Sequence, residues 1–151
     1  MTQLLIILQG APGSGKTTLG KQIASVIDGE IFSTDDLFIE NGVYKFDASK
    51  LGLYHKINLE RAIEAMKAKK NVVIDNTNLK AWESFGYVKA AVDMGIIVKF
   101  VRAIGNFQNT HGVPDEKVET MRNSIEELSV EKVLRSGGLK ELAKDKDMSH
   151  E

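Results

Sequence analysis

The chain has 151 residues, 42% of them hydrophobic, which suits one globular domain with a real core and excludes a disordered chain. Lys plus Arg number 20 against 21 Asp plus Glu, so there is no global basic field, and a nucleic-acid partner would need a local basic patch. The absence of cysteine excludes a disulfide framework, a thiol nucleophile and a Cys-type zinc site, and the apolar run from Leu4 to Leu8 is too short for a signal-peptide core or a membrane span, so the expected compartment is the cytoplasm.

Leu4 to Leu8 reads as a buried strand that feeds a glycine-rich loop and a helix. Gly10 to Thr17 fits G-x-x-x-x-G-K-[ST], the nucleoside-triphosphate-binding P-loop. Gly10, Gly13 and Gly15 let backbone N–H groups curl inward around phosphate oxygens. The helix opening at Gly15-Lys16 adds unsatisfied N–H groups and the positive end of its dipole. Lys16 can reach the β- and γ-phosphates, the Thr17 hydroxyl can ligate Mg²⁺, and Ser14 and Thr18 complete the expected nucleotide border.

The helix runs to about Ile27, with Leu19, Ile23, Val26 and Ile27 on one face. A second strand, Glu30 to Ser33, delivers Thr34-Asp35-Asp36 at its carboxyl end. Asn41 to Asp47 is a turn-prone loop or a small hairpin. A long helix spans about Ala48 to Lys70, carrying Leu51, Tyr54, Ile57, Ala62, Ala65 and Met66 at helical spacing. Val72 to Asp75 is a third strand, apolar throughout as a central parallel strand requires. Asn76-Thr77-Asn78-Leu79 leads into a helix from about Ala81 to Met94, with Gly95 closing it. Ile96 to Arg102 is a fourth strand, Ala103 to Gly112 a loop, and Pro114 opens a helix reaching about Leu128. After Ser129 come one candidate helix, a Gly137-Gly138 break and a charged tail. The alternation predicts a single α/β domain over 1–151 with a mostly parallel sheet, residues 129–151 being a weakly structured C-terminal extension.

Ligands of open α/β sheets sit at the carboxyl ends of the strands. That rule selects the P-loop, Thr34 to Asp36, Asp75 to Asn78, and Arg102. Asp35 is a candidate general base for a hydroxyl attacking the γ-phosphate; Asp36 is either a second such carboxylate or the cap of a helix beginning near Leu37. Asp75 stands where a carboxylate helps hold Mg²⁺. Its neighbour is Asn76 rather than Glu, which argues against a motor or hydrolytic ATPase, and N/T-K-x-D, the base-reading pattern of GTPases, is missing. Asn76, Thr77 and Asn78 individually suit turn chemistry. His55, Asn58 and Arg61 lie at successive i, i+3 steps and face either an acceptor or solvent, with Glu60 and Glu64 available to Arg61. His111 stands in the loop after strand four, and Trp82 reads as a packing anchor.

Gly10–Thr17, Thr34-Asp35-Asp36 and Val73-Ile74-Asp75-Asn76-Thr77-Asn78, in this order, resemble the P-loop kinase domain of polynucleotide 5′-kinases. Gly42-Val43-Tyr44-Lys45-Phe46-Asp47, then His55, Asn58 and Arg61, Trp82-Glu83 and Asn109-Thr110-His111-Gly112-Val113 extend the resemblance to the small polynucleotide-kinase-like ATPases of phages, bacteria and animals, over residues 4 to 128. The resemblance implies a three-layer fold of the adenylate-kinase type, strand order 2-3-1-4 with a fifth strand in some members. It implies ATP and Mg²⁺ as cofactors, Lys16 and Thr17 on phosphate and metal, Asp35 as base, and Asp75 to Asn78 for metal and active-site organisation. The activity implied is transfer of the γ-phosphoryl to a hydroxyl of a DNA or RNA 5′ end, a modified base, or a nucleotide-like acceptor. A small-metabolite or nucleoside-monophosphate kinase and a catalytically weak ATP-binding regulatory module are the alternatives. Relatives carry arginines where this chain has Phe38 and Phe107-Gln108, leaving Arg102, Arg122, Arg61 or His111 to take their place.

Overall fold

The structure, a computed structural model, describes residues 2–105 and 112–137. The apolar run at the head of the chain is β1 (Leu4–Gln9). After α1 (Lys16–Ile27) the chain forms β2 (Gly29–Phe32), the short strands β3 (Ile39–Glu40) and β4 (Val43–Tyr44), and α2 (Leu51–Lys67). Then follow β5 (Asn71–Ile74), α3 (Phe85–Asp93), β6 (Ile97–Arg102), α4 (Asp115–Asn123) and a helix, α5, at 130–137. The four-stranded sheet has the order β2-β5-β1-β6 with every pairing parallel. Counting sheet strands alone, this is the expected 2-3-1-4, and no fifth strand joins it among the described residues. Parallel pairing puts all four carboxyl ends on one edge of the sheet.

Both faces of the sheet are covered, which is why its central strands are apolar without alternation. Leu5, Ile7, Val72 and Ile74 pack with Ala62, Ala65 and Met66 of α2, Tyr87, Val88 and Ala91 of α3, and Val133 of α5. Ile6, Leu8 and Val73 face the other way, against Ala24 and the partly buried Leu19, Ile23 and Ile27 of α1. A Cβ at Gly20 would fall 2.8 Å from Leu8 Cδ1, so glycine there lets α1 sit close on β1. Among the described residues no helix is long and apolar enough to cross a membrane.

Several sequence expectations shift. Val26 does not join the buried face; it is 85% exposed, lying about 120° round the helix from Gly20. Residues 41–47 include a hairpin turn, with positive φ at Asn41 (51°) and Gly42 (79°) as a two-residue connection between β3 and β4 requires. The helices expected from Ala48 and Ala81 open as 3₁₀ turns, Ala48–Lys50 and Ala81–Ser84, before becoming α-helical. α2 stops at Lys67, followed by Lys69 at φ 67°.

α4 ends at Asn123, well short of Leu128, because the next residues bond elsewhere. The Glu126 N–H donates to the Leu79 carbonyl at 2.7 Å, and the Glu126 carbonyl accepts from Gln9 Nε2 at 2.8 Å. Backbone groups spent on long-range partners cannot continue a helix ladder. Within the extension, the candidate helix after Ser129 is present. It spans 130–137, Val133 is fully buried, and a Cβ at Gly137 would fall 2.1 Å from Phe85 Cε1.

Candidate active site

The loop between β1 and α1 has the backbone that its glycines allow. Gly13 and Gly15 take φ 84° and 85°, values that L side chains rarely adopt. A Cβ at Gly10 would fall 2.3 Å from Ser14 Oγ and 3.3 Å from the Ala103 carbonyl. The loop is tied at both flanks: Gly10 N–H donates to the Thr77 carbonyl at 3.0 Å, and Gly105 N–H to the Ser14 carbonyl at 2.9 Å. No side chain caps the N-terminus of α1, so its first N–H groups and dipole are available to an anion.

Lys16 and Thr17 converge on Asp75. Lys16 Nζ lies 3.1 Å from Asp75 Oδ1, and Thr17 Oγ1 donates to Oδ2 at 3.0 Å. The lysine side chain is 11% and the aspartate 5% exposed, so the ion pair is a buried one. The ammonium is at ion-pair distance from Oδ1 without being aligned as a hydrogen-bond donor, so this buried oxygen keeps lone-pair capacity. Thr17 Oγ1 and the Asp75 carboxylate therefore form a hard-oxygen pair that fits Mg²⁺. No cluster of three or more His, Asp or Glu able to hold a metal occurs among the described residues. Ser14 is buried with its Oγ unpartnered, while Thr18 is exposed.

Asp35 occupies the 3₁₀ turn Thr34–Phe38 at the end of β2, half-buried. Its position is fixed through its neighbour. Thr34 N–H donates to Asn76 Oδ1 at 2.9 Å, and Thr34 Oγ1 is 3.0 Å from His55 Nδ1. This bond joins β2 to β5 just beyond the last ladder pair, Phe32 with Ile74, and so brings Asp35 and Asp75 to the same stretch of the sheet edge. Asp36 is exposed inside the turn, whose N-cap position is Ser33, so the expected cap of a helix near Leu37 is not its role.

The residues read from α2 separate. His55 turns to Thr34, while Asn58, 2% exposed, donates through Nδ2 to Tyr87 Oη at 2.9 Å. Arg61 is exposed and pairs with neither Glu60 nor Glu64. Asn76 Nδ2 also points at Tyr87 Oη, at 3.4 Å. Burial raises the Tyr87 phenol above its ordinary pKa, partly offset by hydrogen bonds with Asn58, Asn76 and Thr34. Asn58 thus serves a buried polar network beneath the Asp35 turn and is out of reach of an acceptor.

Asn78 is likewise not an acceptor contact. It is 1% exposed, and its Nδ2 donates to the Leu8 carbonyl at 2.8 Å, bracing the strand that leads into the P-loop. Arg102 is exposed and donates to the Glu126 carbonyl at 3.2 Å; Arg122 pairs with Glu119 on its own helix. Trp82 is half-buried in the Ala81–Ser84 turn. His111, with Phe107 and Gln108, lies outside the described residues.

Tyr87, Gln9 and Glu126 escape the sequence reading. Gln9 Nε2 donates to the carbonyls of Asn78 (3.1 Å) and Glu126 (2.8 Å), and Glu126 Oε1 accepts from Ala81 N–H at 2.7 Å. Gln9 had a signal, a polar residue ending an apolar strand. A lone Glu in a charged helix pattern had none.

A family model described as an AAA domain matches residues 5–103, from the second residue of β1 to just past β6. The chain belongs to this family. Human NEDD4-binding protein 2 is 40% identical over 129 residues, an overlap taking in 78% of this chain but only 7% of the human protein's length. Among solved structures, the Pnkp1/Rnl/Hen1 RNA repair complex matches 97% of this chain and 46% of its own at TM-score 0.57 and 19% identity. The Mycobacterium tuberculosis APS kinase CysC, solved with AMPPNP and APS, matches 79% of this chain and 68% of its own at TM-score 0.53 and 15% identity. At these identities the structural likeness is one of fold. The family match and the fold likeness together place a P-loop nucleotide site on a kinase-like α/β fold.

Proposed function

We propose that the chain is an ATP- and Mg²⁺-dependent kinase that moves the γ-phosphoryl of ATP to a hydroxyl on a nucleic-acid end or a nucleotide-like acceptor. The observation that carries this reading is the Thr34 N–H to Asn76 Oδ1 bond, which tethers the Asp35 turn beside Asp75 at the carboxyl edge where the P-loop begins. A nucleic-acid acceptor is favoured over a small metabolite by the ordered motif set that resembles that of polynucleotide 5′-kinases.

In this mechanism the P-loop amides and the N-terminus of α1 seat the phosphates, and Lys16 leaves Asp75 to neutralise the β- and γ-oxygens. Mg²⁺, held by Thr17 Oγ1 and Asp75, supplies charge neutralisation of the triphosphate when bound. Asp35 accepts the acceptor's hydroxyl proton as that oxygen bonds to Pγ and the bond from Pγ to the bridging oxygen breaks, releasing ADP.

The test incubates the protein and γ-labelled ATP with 5′-OH DNA, 5′-OH RNA, nucleosides and sugars. Label is expected on an oligonucleotide, with transfer falling on the order of 10²- to 10⁴-fold in Asp35→Ala, as for loss of a general base. ATP binding that disappears in Lys16→Ala, without transfer to any acceptor, would identify a binding module instead.

A further inference from the structure

Tyr44 is absorbed neither by the nucleotide site nor by the core. It lies on β4 directly opposite Ile39, on a hairpin pinned to the Asp35 turn by the Lys45 N–H to Phe38 carbonyl bond of 2.8 Å. Its ring meets the buried Phe38 edge-on, with centroids 6.3 Å apart, and Phe38 is held in turn by Phe46 at 5.1 Å and Tyr54 at 4.6 Å. From this seat the phenol oxygen reaches Asp35 Oδ1 at 3.4 Å.

We propose that Tyr44 is the positioning residue for the Asp35 carboxylate, its hydroxyl fixing Oδ1 so that Oδ2 is presented to the acceptor hydroxyl. The inference rests on the reading of Asp35 as general base and adds what orients it. A carboxylate torsion is broad and roughly two-fold, and a firmly seated donor as partner to one oxygen narrows it to one orientation. Tyr44 is suited to be that partner. Burial, then the Asp35 charge, push its pKa up to about 12, so it stays a protonated donor throughout the working range. The 3.4 Å separation is longer than a well-formed O–H···O bond, as catalytic hydrogen bonds often are before the reacting complex forms.

Tyr44→Phe is the test, because it keeps the ring on Phe38 and removes only the hydroxyl. Its kcat is expected to fall about tenfold, the scale of one hydrogen bond to a charged group, with ATP affinity, acceptor KM and thermal midpoint unchanged. In Asp35→Asn the same substitution is expected to cost nothing further. Independently of turnover, Asp35→Asn should lower the pH at which the Tyr44 phenolate appears in the ultraviolet, Tyr44→Phe identifying that transition. The proposal is overturned by wild-type kcat in Tyr44→Phe, by a loss that tracks the fraction unfolded, or by a phenolate transition indifferent to Asp35→Asn. Full transfer in Asp35→Asn would overturn the base assignment itself, a failure distinct from wild-type kcat in Tyr44→Phe alone.

Discussion

Asn78 meets two structural demands at one position. Its backbone takes φ 46°, where asparagine is tolerated far better than other L residues, and its buried amide holds the Leu8 carbonyl at 2.8 Å. Asn78→Ala loses the hydrogen bond and strains the backbone, so it is expected to destabilise the fold by about 2 to 3 kcal/mol, read as a lower urea midpoint at constant m-value. The sequence marks Asp75 to Asn78 as a unit but cannot divide its labour. Asp75 faces Lys16 and Thr17, Asn76 holds the Asp35 turn, and Asn78 props β1. Side chains of the same chemistry differ here only in which way the backbone turns them. The same limit applies to α2, where spacing shows that His55, Asn58 and Arg61 are neighbours and leaves unstated which of them faces inward. Nothing in the spacing of α3 marks Tyr87 as the residue whose hydroxyl joins Asn58 and Asn76.

At the scale of elements, the hairpin β3–β4 is the piece whose position the sequence leaves open and the site depends on. The resemblance implies an arginine at the position of Phe38 in some members, and here an apolar ring fills it, 2% exposed and touching Tyr44, Phe46 and Tyr54. The substitution exchanges a candidate acceptor contact for an aromatic anchor. Phe38→Ala is expected to cost about 3 to 5 kcal/mol and to release the hairpin. Amide exchange at Lys45, whose N–H bonds the Phe38 carbonyl, should then accelerate out of proportion to exchange within β1. Equal acceleration at both would mean that the hairpin has no local anchor of its own. The early end of α4 shows the complementary limit. Helical propensity continues past Asn123, but the Gln9 side chain and the Leu79 carbonyl claim the backbone of Glu126, and those partners lie far away in sequence.

For the whole molecule, sheet order and site edge are legible because a motif-bearing strand, parallel crossovers and apolar central strands leave few topologies open. The balance of tertiary charge is not legible in that way; it depends on which ionisable groups folding withdraws from water. Tyr44 rises from 10.0 to about 12 and Tyr87 also rises, each because burial disfavours the phenolate. Both groups are neutral in folded and unfolded chains below pH 10, so their contribution to stability is fully present there. Above pH 10 the unfolded chain ionises while the folded chain resists, and that contribution drains away as pH climbs through about 12. Unfolding free energy measured across this window should therefore fall less steeply in Tyr44→Phe than in the wild type, with the remaining tyrosine slope belonging to Tyr87. Parallel curves for the two proteins would mean that the Tyr44 phenol is as free to ionise in the folded chain as in water, and that Asp35 does not feel it.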